Sequence, residues 1–409
     1  MAKDFVGDPR TPASGVRLLG LTAAIALATC AALSPVPARA SNLLAPAVGA
    51  ADSATAGTRI ADPHTPSAAL FANPAGLTQF ETLTHGGSLG IGYGRPRIEA
   101  SEPAGYDDTN EIWTMIPDFG LSVPHGRWRF AIGTYGATGS TFDFGPDPAL
   151  GIPNFLSETV MIAAPLGVAY QINSQLSIGA EVQPMFGQLR THFLQGGMNF
   201  RYKINGPGVQ GMVGMSWRPT DTLAFGLGVR TPGRTWMGGS MPVPGAGRQD
   251  VDVALRMPTQ VFLGTTWRGL EPVTLSASVR FTDSSTLGDS TIEYELTPQA
   301  NIGFVPDAKD EWKFSAAAEY ALHEEWLLRL GFSWASHIVG ANGVSPLLFD
   351  TDDAKIAVGL GRRFDHWVLD VMAGYAVQAE RTIPRATALV LPGKYSMGGA
   401  VLIIGLTYR

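Results

Sequence analysis

From Thr84 onward, apolar and polar residues alternate along the chain with a period of two. That is the period of a strand with one face in each of two environments. Trp326, Leu328, Leu330, Phe332 and Trp334 fall on one face, with Arg329, Gly331 and Ser333 opposite. Trp367, Leu369, Val371, Ala373, Tyr375 and Val377 face away from Asp370, Gly374 and Gln378, and Val273, Leu275, Ala277, Val279 and Phe281 from Thr274, Ser276, Ser278 and Arg280. Fourteen such runs are predicted: 84–95, 113–124, 127–138, 157–172, 175–191, 207–218, 222–238, 249–268, 271–286, 311–322, 325–337, 353–364, 366–382 and 394–408. Six very short connections (Pro124–Gly126, Asn173-Ser174, Pro219–Asp221, Gly269-Leu270, His323-Glu324 and Asp365) alternate with seven longer polar ones at 96–112, 139–156, 192–206, 239–248, 287–310, 338–352 and 383–393. An even strand number with short turns on one side and long loops on the other predicts an all-β, 14-stranded antiparallel transmembrane barrel, both termini on the short-turn side. A β-sandwich shares the alternation but not this regular connector asymmetry.

Tryptophan placement separates the two. Trp128, Trp217, Trp267, Trp326 and Trp367 lie near short turns, and Trp113, Trp236, Trp312 and Trp334 near long loops. Indoles prefer the lipid–water interface, so two aromatic girdles are expected, whereas a soluble core would hold its Trp at mid-strand. Only 16% of the chain is charged and 45% is hydrophobic, which excludes disorder. The net charge of −6 comes with no basic patch, so nucleic acid is not an expected partner.

Residues 1–40 read as a signal peptide. Arg17 precedes the apolar run Leu18–Leu33, and Ala38-Arg39-Ala40 supplies the small-x-small site, with cleavage after Ala40. The run is too short for a spanning helix, and no apolar stretch of helical length follows it. The single Cys30 lies inside the run, so no disulfide is expected in the exported chain. Residues 41–83 are Ala/Gly-rich and not strand-like; Ser67–Phe71 predicts a helical turn ended by Asn73-Pro74-Ala75-Gly76. This segment is read as a plug before a barrel over 84–409. The chain has no Gly-x-Ser-x-Gly elbow, no HExxH, no CxxC and no P-loop. The seven His show no metal-ligand spacing, and neither an enzyme nor a cofactor is expected.

The segment from Ala54 to Phe80, with Asn73, Pro74, Ala75, Gly76 and Leu77 in order, resembles the N-terminal hatch of the FadL-type outer-membrane transporters of long-chain fatty acids and aromatic hydrocarbons. The strand–turn–strand units at 214–232, 276–287, 312–334 and 358–376 are similar to that family's, and the resemblance spans about residues 41–408. Two departures stand out. The chain ends in Tyr408-Arg409 where such barrels usually end in an aromatic residue read by the insertion machinery, and the stretch before the apolar run is long.

The resemblance implies uptake of a long-chain fatty acid or similar hydrophobic molecule by a monomeric barrel, in contact with outer-membrane lipid and lipopolysaccharide. It also implies sideways release through an inward kink of the third strand. Here that strand carries Gly133, Gly136 and Gly139, and glycine in a strand marks a bend or bulge. Leu70 and Phe71 are candidate ligand contacts. Arg230, Arg280 and Arg329 are inward candidates for a substrate carboxylate, because a guanidinium offers a two-pronged donor; a lattice with wall carboxylates is the competing role for each. Aromatic or alkane hydrocarbon uptake needs no lumen Arg. A permanently plugged barrel would serve instead as surface adhesin or receptor.

Overall fold

The computed structural model describes residues 45–102, 105–146, 154–195, 198–243, 247–348, 350–384 and 391–409. The predicted signal peptide lies outside the described residues. The wall consists of fourteen strands: β1 (Thr84–Ala100), β2 (Ile112–His125), β3 (Trp128–Phe144), β4 (Phe155–Ala163 and Leu166–Gln171), β5 (Leu176–Gln195), β6 (Met198–Thr220), β7 (Leu223–Arg230 and Gly233–Val243), β8 (Gly247–Met257 and Gln260–Leu270), β9 (Val273–Thr282), β10 (Glu311–Ala321), β11 (Trp326–Ala335), β12 (Asp353–Phe364), β13 (Trp367–Gln378) and β14 (Gly393–Tyr408). Every neighbouring pair is antiparallel, and β1 closes the barrel against β14 from His85↔Tyr408 to Ala100↔Gly393. Closure pairs the first strand with the last, so the sheet has no free terminal strand.

The pleat sorts side chains as the alternation predicts. On β11, Leu328, Leu330 and Phe332 are exposed, Leu330 at 54%, while Arg329 and Ser333 are buried inside. Seven of the nine Trp stand exposed on the outer wall, among them Trp113, Trp128, Trp217, Trp236 and Trp267. Large apolar side chains turned outward in this density fit contact with acyl chains rather than water.

Two predicted long loops are mostly strand. The β5–β6 ladder continues to Gln195↔Met198 and the β7–β8 ladder to Val243↔Gly247, across 192–206 and 239–248. Their outward faces are polar, which hid the period; the inward faces still alternate, with Phe193, Phe200, Tyr202 and Ile204 buried. Proline interrupts three strands, at Pro165, Pro232 and Pro258, where the missing N–H breaks the ladder. Gln210 fills one of the gaps, its amide donating to the Thr231 and Pro258 carbonyls at 2.7 and 2.9 Å.

Residues 45–80 pack inside the wall as two short helices, α1 (Ala50–Ala54) and α2 (Pro66–Ala72), followed by a 3-10 turn, Pro74–Gln79. Thr65 caps α2 by accepting from the Ala68 N–H at 3.2 Å, and Pro66 takes the first helical position. α2 stops at Asn73 because Pro74 cannot continue it.

Candidate functional site

The lumenal segment sits on glycines of the wall. A Cβ on Gly179 would lie 2.5 Å from the Ala75 nitrogen, one on Gly226 2.5 Å from the Ala61 nitrogen, and one on Gly331 2.5 Å from the Ala54 carbonyl oxygen. Any larger residue there would push the segment out of its seat. Asn73 then fastens it. Its side-chain oxygen accepts from the Ala75 N–H, and its amide donates to Ile60 O at 2.9 Å, Met215 O at 3.0 Å and Ser216 Oγ at 3.0 Å. Pro74 fixes the turn, and Gly76 leaves room for the Pro63 ring, 2.6 Å from where a Cβ would stand. The sequence places Asn73 at the end of a helical turn; its bonds to β6 were not legible there.

At the short-turn end a charge lattice closes the floor. Arg59 pairs with Asp62 at 2.7 Å and with Glu319; Arg329 bridges Glu319 at 3.0 Å and Asp370 at 2.6 Å. His64 lies 2.9 Å from Glu319 and 3.3 Å from Asp52. Burial pushes the His64 pKa down, but these two carboxylates outweigh it and hold it above the ordinary imidazole range. The terminal Arg409 donates from Nη2 to the His64 carbonyl at 2.6 Å.

Above this floor lies an apolar cavity of about 200 Å³, between the lumenal residues 45–56 and the inner faces of β1, β2, β3, β12, β13 and β14. Its lining is mainly aliphatic and aromatic, with Val48, Ile112, Tyr135, Met372 and Met397 prominent. Two cations reach it. Lys355 is paired with Asp353 at 2.7 Å. Lys313 is buried and donates to the Pro46 and Ala56 carbonyls at 2.9 and 3.3 Å; among the described residues no carboxylate pairs with it.

The three candidate arginines are placed otherwise. Arg329 belongs to the floor lattice. Arg280 is paired with Glu311 at 3.1 Å and donates to Ala45 O at 2.9 Å. Arg230 lies over the Phe71 and Phe262 rings, 5.0 and 5.4 Å from their centroids, donates to Gln260 Oε1 and Phe71 O, and lines neither this cavity nor the smaller one beside it. Phe71 lines the smaller cavity, edge-on to Tyr135 at 5.4 Å. Leu70 packs away from both, among Leu77, Phe80, Ala131 and Ala169. The sequence reading missed Lys313, although the inward register Glu311, Lys313, Ser315, Ala317, Glu319 on β10 marked it.

The cavity reaches the wall at β3. The β2–β3 ladder runs from His125↔Trp128 only as far as Asp118↔Tyr135. Beyond it, residues 112–117 of β2 stay paired with β1, while β3 follows β4 instead. The β3–β4 register shifts between Gly136 and Thr138, leaving Ala137 as an extra residue, and residues 137–142 are buried. Ile116, Pro117, Gly136, Thr138 and Gly139 line the cavity at this unpaired stretch. Gly136 has open space where a Cβ would stand; one on Gly133 would meet Leu70 at 2.9 Å and Phe119 O at 3.0 Å.

Among the described residues no cluster of His, Cys, Asp and Glu is arranged to hold a metal. No curated protein matches the chain significantly. Among solved structures, a FadL homologue of Pseudomonas aeruginosa superposes with a TM-score of 0.78 at 16% identity, covering 90% of this chain and 99% of that one. The Ralstonia pickettii toluene transporter TbuX gives 0.68 at 18% identity (89% and 98%), and the P. putida toluene transporter TodX 0.69 at 16% (89% and 99%). At these identities the likeness is one of fold. A family model described as "Outer membrane protein transport protein (OMPP1/FadL/TodX)" matches residues 30–409. The chain belongs to this family of outer-membrane transport proteins.

Proposed function

We propose that the chain takes up long-chain fatty acids, or hydrophobic molecules carrying a comparable anionic head, and releases them sideways into the membrane between β2 and β3. The supporting observation is the apolar cavity that holds one buried ammonium with no carboxylate partner among the described residues and reaches the unpaired stretch of wall at Gly136. An apolar pocket with a few placed polar groups suits an amphipathic ligand. Two of the three Lys313 donors point to lumenal carbonyls, and a carboxylate would take the third and compete for the others. Ligand arrival would thereby loosen residues 46–56, which gives the lumenal segment the role of a hatch. The transport needs no bond-breaking chemistry, and no catalytic role is assigned.

Hydrocarbon uptake is the second reading, favoured by the toluene transporters among the similar folds. Uptake of radiolabelled oleate and of toluene, in cells lacking their own transporters, separates them. Lys313→Met keeps side-chain length and removes the charge. It is expected to lower oleate uptake about tenfold, the worth of one charge-assisted hydrogen bond, and to leave toluene uptake unchanged. Oleate uptake at the wild-type rate would remove Lys313 from the substrate path and favour the hydrocarbon reading.

A further inference from the structure

The outer wall carries a cation cluster apart from the apolar cavity. Above the girdle, β5 and β6 form a ribbon on which Arg190 stands directly opposite Lys203 and His192 opposite Arg201. The pleat turns Arg190, Arg201 and Lys203 outward and exposed, while Thr191, Phe193, Tyr202 and Ile204 are buried on the other face. Beside the ribbon, Arg248 at the start of β8 lies along Ser240 of β7, donating to its Oγ at 2.5 Å. The two ribbons enclose a cleft of about 680 Å³ to which Arg190, Arg201, Lys203 and Arg248 all contribute. Asp143 is the cleft's one acidic lining residue. Glu158 lies 3.6 Å from Arg190; among the described residues Arg201, Lys203 and Arg248 have no ion pair.

Like charges directly across an antiparallel ladder repel, so these pairs cost stability unless an anion sits between them. Their height above the bilayer names the anion. On the same two strands the outward side chains below are Phe186 and Val209, exposed at 52% and 42%, with Trp236 on β7 beside them. Arg190 is four residues beyond Phe186, roughly 10 Å higher along the membrane normal for a strand tilted by about 40°. That is the headgroup layer of the outer leaflet, where lipopolysaccharide carries its phosphates. Guanidinium groups bind phosphate through paired N–H donors, and the apolar side chains below offer a surface to the acyl chains. We propose that this cleft binds the phosphates of one lipopolysaccharide molecule. Three independently placed cations beyond the Arg190–Glu158 pair exceed what a single carboxylate needs, and all four cations are exposed side chains.

The test is equilibrium binding of fluorescently labelled deep-rough lipopolysaccharide to the detergent-purified full chain, with the same lipid after dephosphorylation as comparison. The wild type is expected to bind the phosphorylated form at least about tenfold more tightly, the effect of losing one charged contact. The variant R190Q/R201Q/K203Q/R248Q, checked for folding by heat-modifiable mobility, is expected to lose that preference. Equal affinity of the wild type for both lipids overturns the proposal whatever the variant does. A folded variant that keeps the phosphate preference but loses oleate binding also overturns it, making the cleft a port for substrate. Neither result depends on the Lys313 reading.

Discussion

Asn73 carries more of the lumenal packing than its size suggests, because one amide satisfies backbone carbonyls of its own segment and of β6 together. Alanine there would leave Ile60 O and Met215 O buried without these donors, at a cost of about 2 kcal/mol to the local opening equilibrium. Hydrogen exchange over residues 60–80 is expected to accelerate about thirtyfold in Asn73→Ala, with the wall unchanged. Unchanged protection would mean that the glycine seats alone hold the segment. The residue scale is also where the sequence was least legible. Alternation correctly placed Arg230, Arg280 and Arg329 inside, but a side chain's partner depends on strands far away in sequence. Glu311 lies 31 residues from Arg280 and Asp370 lies 41 from Arg329. Nothing local separates a lumen cation that is already paired from one, like Lys313, that has no carboxylate partner among the described residues.

Elements were more legible than contacts, since period two and turn chemistry are local properties. Where the reading failed, the reason is physical: above the bilayer both environments of a strand are partly wet, so β5–β8 lose their outward apolar signal while their ladders continue. The third strand shows a finer limit. Three glycines marked a region, but only the paired registers locate the departure at Ala137 and show that the three glycines differ. Gly133 sits over Leu70, so Val there would strain the packing of the lumenal segment. Gly136 lines the cavity at the unpaired stretch and has open space where a Cβ would stand, so Gly136→Phe is expected to leave barrel stability within about 0.5 kcal/mol of the wild type, as for an unconstrained surface change, while narrowing the opening. Oleate and toluene uptake would then fall together, unlike the selective loss expected for Lys313→Met. Unimpaired uptake by a folded Gly136→Phe variant would move the exit away from this part of β3.

At the scale of the whole molecule the two ends of the lumen are closed by different physics. The short-turn end has the ion-pair lattice around Glu319. The long-loop end has a cap in which Val305, Val339, Val344 and Leu347 are buried together, tied down by polar bonds at its edge. Asp350 is central to that edge: its carboxylate accepts from the Ile338 N–H at 2.8 Å, and Arg381 donates to its main-chain oxygen at 3.1 Å. Burial pushes the Asp350 carboxyl up to about 7, against the Ile338 hydrogen bond and with help from the charges of Asp353 and Glu311. A carboxyl raised in the folded state binds its proton more tightly there than in the unfolded chain. Its stabilising contribution is therefore complete below about pH 4 and is lost as pH rises through about 7. His64 acts in the same direction at the other end, its contribution present below about pH 6.5 and lost above its raised folded value. Both ends are thus expected to hold more tightly in mild acid than in mild base. Chymotryptic nicking near Leu347 is expected to be faster at pH 8.5 than at pH 6 in the wild type. Asp350→Asn, which stays neutral and keeps an acceptor for Ile338, should be nicked more slowly than the wild type when both are digested at pH 8.5. Because the two proteins are compared at one pH, the protease's own pH dependence cancels. Nicking at pH 8.5 that is equally fast in Asp350→Asn would show that the cap opens for a reason other than the charge on this carboxyl.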